Sequence, residues 1–181
     1  MGWTEYRATH YNKYGVDRKA ECREYFKGNE KWATLLKDAM VGTTWYGAVK
    51  LTSTGEVFAM VMLTSVRNRT EFAYKEMSDT AGPYAHDCPE SILKLLSPTD
   101  NECAVQWRER CRERHQMKKN LAKATRIRMT YAHDTKCHKK GDTVELHRGK
   151  VKHLHKYWFD NSEYYYTPVS MILSTGFEVV A

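Results

Sequence analysis

The chain has 181 residues, 41% of them hydrophobic and 12% aromatic, enough to build a core and to argue against global disorder. That length suits one ordinary domain or a domain with a small appendage, and no apolar run is long enough for a transmembrane helix. The formal charge is +7 but uneven: residues 105–160 hold 16 basic and 6 acidic side chains, a net of +10, against −3 for the remainder. Such asymmetry points to a polyanionic partner.

Taken in order, the opening MGWTEYRATHYNKYG lacks the apolar region of a signal peptide, which predicts a protein kept in the cytoplasm. Trp3–Tyr11 alternates large and polar residues and predicts a strand, with a turn at Tyr14-Gly15. Asp17 is placed to cap a helix through Phe26 that ends at Gly28-Asn29, and Glu30–Lys37 predicts a further turn or two of helix. Ala39–Leu51 and Glu56–Val66 are β-rich and flank Thr52–Gly55, a hairpin loop; Glu71–Lys75 supplies another strand after the polar turn Arg67–Thr70. Together these predict a curved antiparallel sheet packed by helices on one face, an α+β domain, with Met40, Met60 and Met62 filling its core.

Two capped helices follow. Pro89 suits the first turn of a helix over Glu90–Leu96, with Asp87 or Cys88 as N-cap and Ser97-Pro98 as its stop. A second helix restarts with Thr99 as N-cap and Glu102 at capping-box spacing. On a helical wheel Cys103, Ala104, Trp107, Cys111, Leu121 and Ala122 share one side. Arg108, Arg112, Lys119, Lys123 and Arg126 form a basic stripe on another. Arg114 and Lys118 interrupt the apolar side, so the helix should leave the core after three turns. The stripe reads either as a solvated face or as a row of phosphate contacts, and its few acidic neighbours, Glu109 and Glu113, add weight to the second reading.

From Ile127 the pattern is β again. Thr143–Leu146, Val151–Phe159, Glu163–Tyr166, Val169–Leu173 and Phe177–Val180 predict a small barrel-like appendage, with the hinge in Asn120–Thr135. The expected division is an α+β domain over 1–120, ending in the basic helix, and a basic β-rich subdomain over 121–181. Within KVKHLHKYWF, Lys150, Lys152 and Lys156 alternate to one face opposite Tyr157, a second candidate patch in which lysines follow phosphates and aromatics stack on bases. An acidic protein surface would fit those lysines equally well.

Signals for chemistry are weaker. The five cysteines are odd in number with no repeated spacing, the pattern of reduced, buried thiols. His133, Cys137, His138, His147, His153 and His155 lack the two close pairs of a zinc site, so no metal is expected. His86-Asp87-Cys88 are adjacent and point apart, while Glu71, Glu76 and Asp79 match no two-metal spacing. Without a phosphate loop or nucleotide fingerprint, neither a cofactor nor a catalytic residue is expected.

Six stretches carry a resemblance: DRKAEC at Asp17–Cys22, Leu63-Thr64-Ser65, YKEM at Tyr74–Met77, Gly82-Pro83 with Asp87-Cys88-Pro89, ILKLLSPTD at Ile92–Asp100 and WRERCRE at Trp107–Glu113. Over about residues 1–120 the chain resembles a domain-of-unknown-function family of small proteins carried by phages and conjugative elements of gut Firmicutes; the C-terminal block departs from it. Proteins similar to this include inhibitors of type II-A CRISPR systems. The resemblance therefore implies an anti-CRISPR protein in the cytoplasm of a bacterial host, with Cas9 and its guide RNA as partner. It transfers no catalytic residue. Such an inhibitor would bind the RNA-loaded complex and block DNA engagement or cleavage. Two other readings stand beside it: a nucleic-acid-binding accessory protein of the element, and a ribonuclease that trims the guide with His86, His133 or another histidine as acid/base.

Overall fold

Trp45–Val49 and Val57–Leu63 are almost unbroken apolar runs, a pattern that suits strands covered on both faces. The computed structural model describes residues 2–27, 31–129, 141–147, 150–154, 164–168 and 177–180. It divides into two units, 1–115 and 116–181, and the two apolar runs sit at the centre of a sheet in the first. In chain order that unit holds β1 (Thr4–Arg7), a small hairpin of β2 (Tyr11–Asn12) and β3 (Gly15–Val16), α1 (Arg18–Lys27), β4 (Ala33–Val41), β5 (Thr44–Leu51), β6 (Val57–Arg67) and β7 (Glu71–Ser78). The sheet is antiparallel with strand order β1-β7-β6-β5-β4. The fold is α+β.

Two expectations about its strands are corrected. Glu30–Lys37 is not helical where described: Ala33–Lys37 pairs with β5, and cross-strand partners in a hairpin outweigh local helix propensity. The run Ala39–Leu51 is two strands, because Gly42 takes φ +59° and turns the chain between Val41 and Thr44. The turn after β6 has positive φ at both Asn68 and Arg69, the backbone of a tight primed hairpin turn, without the usual glycine.

Helices cover both faces of the sheet, not one. On one face Phe26 of α1 stacks on Trp45 with ring centroids 5.6 Å apart, above Met62 and Phe72. The cap foreseen at Asp17 is present, its Oδ1 accepting the Ala20 N–H at 3.0 Å. Buried Glu21 accepts the Thr9 and His10 backbone N–H groups, each at 2.6 Å, which ties the chain after β1 to α1. On the other face Tyr46, Ala48, Ala59 and Val61 meet residues from α2 (Glu90–Leu93) and α3 (Glu102–Lys123).

The caps of these two helices differ from the sequence reading. Pro89 itself occupies the N-cap of α2, and Asp87 instead pairs with Arg114 Nε at 2.7 Å. The α3 cap is Asn101, whose Oδ1 accepts the Ala104 N–H at 3.0 Å; Thr99 Oγ1, two residues earlier, accepts from Asn101 N. Both are ordinary cap residues, so the shift moves the helix start by two positions without changing its faces.

The second unit begins within α3 and continues with β8 (Arg126–Met129), β9 (Thr143–His147), β10 (Lys150–Leu154), β11 (Tyr164–Pro168) and β12 (Phe177–Val180). These form one antiparallel sheet of order β11-β10-β9-β8-β12, and among the described residues no ladder joins its two ends. The strand expected at Val169–Leu173 lies outside the described residues. Ile127 and Val144 are buried.

Two measurements test this packing. A Cβ at Gly47 would overlap the Trp45 ring and stand 3.0 Å from Leu35 Cδ1, so Gly47→Ala should cost about 2 kcal/mol in urea unfolding; an unchanged midpoint would contradict the placement of Trp45. Asp38, its side chain buried, accepts Arg23 Nε at 2.9 Å and Trp45 Nε1 at 3.0 Å. Burial pushes its carboxyl up, but these hydrogen bonds and the nearby Lys19 outweigh it and hold the group below its ordinary value of 3.8. A depressed carboxyl stabilises the fold above its unfolded value and loses that contribution as pH falls through the folded one. Stability should therefore fall less steeply in Asp38→Asn than in the wild type between about pH 5 and about pH 2.

Candidate nucleic-acid interface

The charge asymmetry of the sequence follows the division of the structure. Residues 1–115 hold 17 basic and 16 acidic side chains, whereas residues 116–181 hold 12 and 6, so the second unit carries +6 of the net +7. Its opening segment, Gln116–Met129, has five basic residues and no acidic one.

The predicted stripe does not stay together. Arg108 is a correction: it is buried, with only 7% of its surface exposed, and cannot contact a phosphate. Its Nε donates to Asp79 Oδ2 at 2.8 Å, its Nη2 stands 2.7 Å from the same oxygen, and its Nη1 donates to the Ser97 carbonyl at 2.6 Å. The wheel itself holds the reason. Arg108 lies four residues past buried Ala104 and three before buried Cys111, so it borders the apolar side at about 40° from Ala104. What the sequence does not disclose is the acidic mate, 29 residues away after β7.

Arg112 is exposed on the same helix but belongs to the first unit. Lys119, Lys123 and Arg126 are exposed in the second. Strand alternation puts Arg126 and Arg128 on the face opposite buried Ile127. The ladder sets Arg126 opposite Glu145 and Arg128 opposite Glu178, the latter pair 3.9 Å apart. Cross-strand acids meet part of the arginine charge there, and Lys119 and Lys123 stand as phosphate candidates by their exposure. Lys150 and Lys152 lie in β10, in register with Pro168 and Tyr166 of β11. Lys156 and Tyr157 lie outside the described residues.

Other candidate chemistry is dispersed. Cys88 is buried and burial, then Cys111 and Asp79, push its thiol up, the reverse of what a nucleophile needs. Asp87 is engaged by Arg114, and burial, then Arg110 and Arg114, hold His86 below the usual histidine value. Asp79 is fully buried on Arg108. Among the described residues no three His, Cys, Asp or Glu side chains are grouped as metal ligands. The zinc question falls on His133, Cys137, His138 and His155, all outside the described residues. No helix among the described residues is long and apolar enough to cross a membrane.

Removing one partner of a buried ion pair strands the other charge, so Arg108→Ala should destabilise the protein by about 3–5 kcal/mol while Arg112→Ala changes it by no more than about 0.5 kcal/mol. Chemical denaturation of both variants checks this; equal, small effects would return Arg108 to the surface.

Comparison with known proteins adds one match. No curated protein and no solved structure matches the chain. A family model described as a domain of unknown function, DUF6927, matches residues 98–157, a segment that holds α3, β8, β9, β10 and most of the basic residues and overlaps the 1–120 region of the resemblance over residues 98–120.

Proposed function

We propose that the protein binds nucleic acid without catalysis, gripping the phosphate backbone through the basic second unit, with Lys119 and Lys123 as principal contacts. One observation carries the reading: the +6 of residues 116–181, with exposed lysines in an opening segment free of acidic residues. Phosphate contacts draw their strength from counterion release and need several clustered cations rather than a shaped pocket. The resemblance described above supports a narrower form, an anti-CRISPR protein whose target is guide RNA held by Cas9, with DNA binding or cleavage blocked as a consequence. A basic protein suits that target through exposed guide backbone, whereas an acidic DNA mimic would occupy the DNA channel instead.

The test is co-elution on size exclusion with guide RNA, a DNA duplex, Cas9, and RNA-loaded Cas9, each peak then run on a denaturing RNA gel. Binding to RNA-loaded Cas9 with the guide intact is the expected outcome. Binding to bare nucleic acid alone would leave an accessory protein, and a shortened guide would favour a ribonuclease. Binding to none would overturn the reading. Reversing Lys119 and Lys123 to Glu should flatten the dependence of log K on log salt by about 2 units of slope; an unchanged slope would make these lysines a solvated helix face.

A further inference from the structure

The chain between Gly82 and Pro89 runs along α3 in a fixed register. Trp107 Nε1 donates to the Ala85 carbonyl at 3.0 Å, Arg114 Nε donates to Asp87 Oδ1 at 2.7 Å, and the His115 ring bonds the Cys88 carbonyl at 2.6 Å. His86 stands between the first two of these ties, beside the stretch of α3 from Trp107 to Arg114. Arg110 and Arg114, one turn apart on that stretch, are cations whose charge reaches the imidazole.

Two features make this cluster an anion-binding surface. The first is the state of its donors. Arg110 is exposed, and neither its guanidinium nor the His86 ring has a hydrogen-bond or ion-pair partner among the described residues. Arg114 hydrogen-bonds Asp87 through Nε alone among them. The second feature is charge. Burial, then Arg110 and Arg114, hold the imidazole below its ordinary value of 6.5, with Asp87 opposing them; from β5, Tyr46 Oη reaches the segment at the Asp87 N–H. Two arginines that disfavour a proton on His86 favour an anion between them, and that anion in turn favours the proton. Tyr84, two residues before His86, keeps 68% of its surface exposed.

We propose that His86, Arg110 and Arg114 form a phosphate site on the first unit, which takes a backbone phosphate of single-stranded nucleic acid while Tyr84 offers its ring to a neighbouring base. The site rests on the nucleic-acid reading above and adds to the lysines of the second unit a contact on the first. Guanidinium forks match phosphate oxygens, His86 gains a proton as the phosphate arrives, and an exposed aromatic ring supplies the stacking that a free phosphate does not use.

The full-length protein is mixed with an oligouridine, and the His86 ring resonance, identified by its loss in His86→Gln, is followed against pH. Bound RNA should raise the His86 midpoint by about one unit or more. Because the raised value belongs to the complex, binding tightens as pH falls through it, and the gain is complete below the value of the free protein. Arg110→Gln, at an exposed position, should cancel most of the rise and flatten the dependence of log K on log salt by about 0.7 units of slope. RNA that binds without moving the His86 midpoint would overturn the site and leave the second-unit contacts standing. Failure of the oligonucleotide to bind would also overturn the site, while co-elution with RNA-loaded Cas9 would keep the broader reading. An equal rise with the same concentration of inorganic phosphate would overturn nucleic acid as the occupant.

Discussion

Burying both faces of β5 and β6 is the constraint on which the first unit depends. Alternation sends Trp45, Val49, Met60 and Met62 to one side and Tyr46, Ala48, Ala59 and Val61 to the other. Neither set can be left in water, so the chain must supply two covers. The first is α1 with its aromatic residues; the second is the pair α2 and α3. The irregular chain from Gly82 to Pro89 crosses the second face, where its backbone polar groups need partners. They have them: Tyr46 Oη accepts the Asp87 N–H at 3.2 Å, Trp107 Nε1 donates to the Ala85 carbonyl at 3.0 Å, and the His115 ring bonds the Cys88 carbonyl at 2.6 Å. Most of these partners come from α3, so the helix that covers the sheet also fixes the loop between them.

Arg108 shows what such a helix costs at its borders. A stripe of basic residues at helical spacing is drawn as one surface on a wheel, but a wheel has no depth. Position 108 is adjacent to Ala104 and Cys111, and once these are buried the arginine stem is buried with them. A guanidinium in that position is tolerable only with an acid and a carbonyl in reach, and Asp79 and Ser97 provide both. The pair joins the turn after β7 to the middle of α3 and to the segment before it. Its structural role thus removes Arg108 from the exposed basic stripe.

Much of the fold was legible in the sequence because its signals are local. Asp17 at the start of a helical pattern, Thr52–Gly55 between β-rich runs, and the two helices around Ser97-Pro98 all follow from cap and turn chemistry within a few residues. What failed was of two kinds. Ala33–Lys37 has the composition of a helix, and only its partner strand Ala48–Leu51 decides against it. The second kind is pairing at a distance, where Arg108 finds Asp79 and Asp87 finds Arg114 across 29 and 27 residues. No periodicity reports such partners. The candidate interface was legible as charge, since +10 over residues 105–160 is visible in the sequence, but its division between an exposed and a buried part was not.

The exposed part has its own competing explanation. The C-terminal turn of any helix carries partial negative charge, and a lysine there is stabilising whether or not a ligand exists. Lys123 occupies that last turn. The dipole effect fades within one turn, however, and Lys118 and Lys119 lie beyond its strongest reach while Arg126 and Arg128 follow the helix altogether. Helix stability therefore accounts for one or two of the five basic residues in Gln116–Met129. The sheet answers for its own two arginines by setting Glu145 and Glu178 across from them. It places no acid in sequence beside the lysines. A segment that concentrates positive charge and holds no acidic residue of its own between Gln116 and Met129 is the kind of sequence from which backbone-binding surfaces are built.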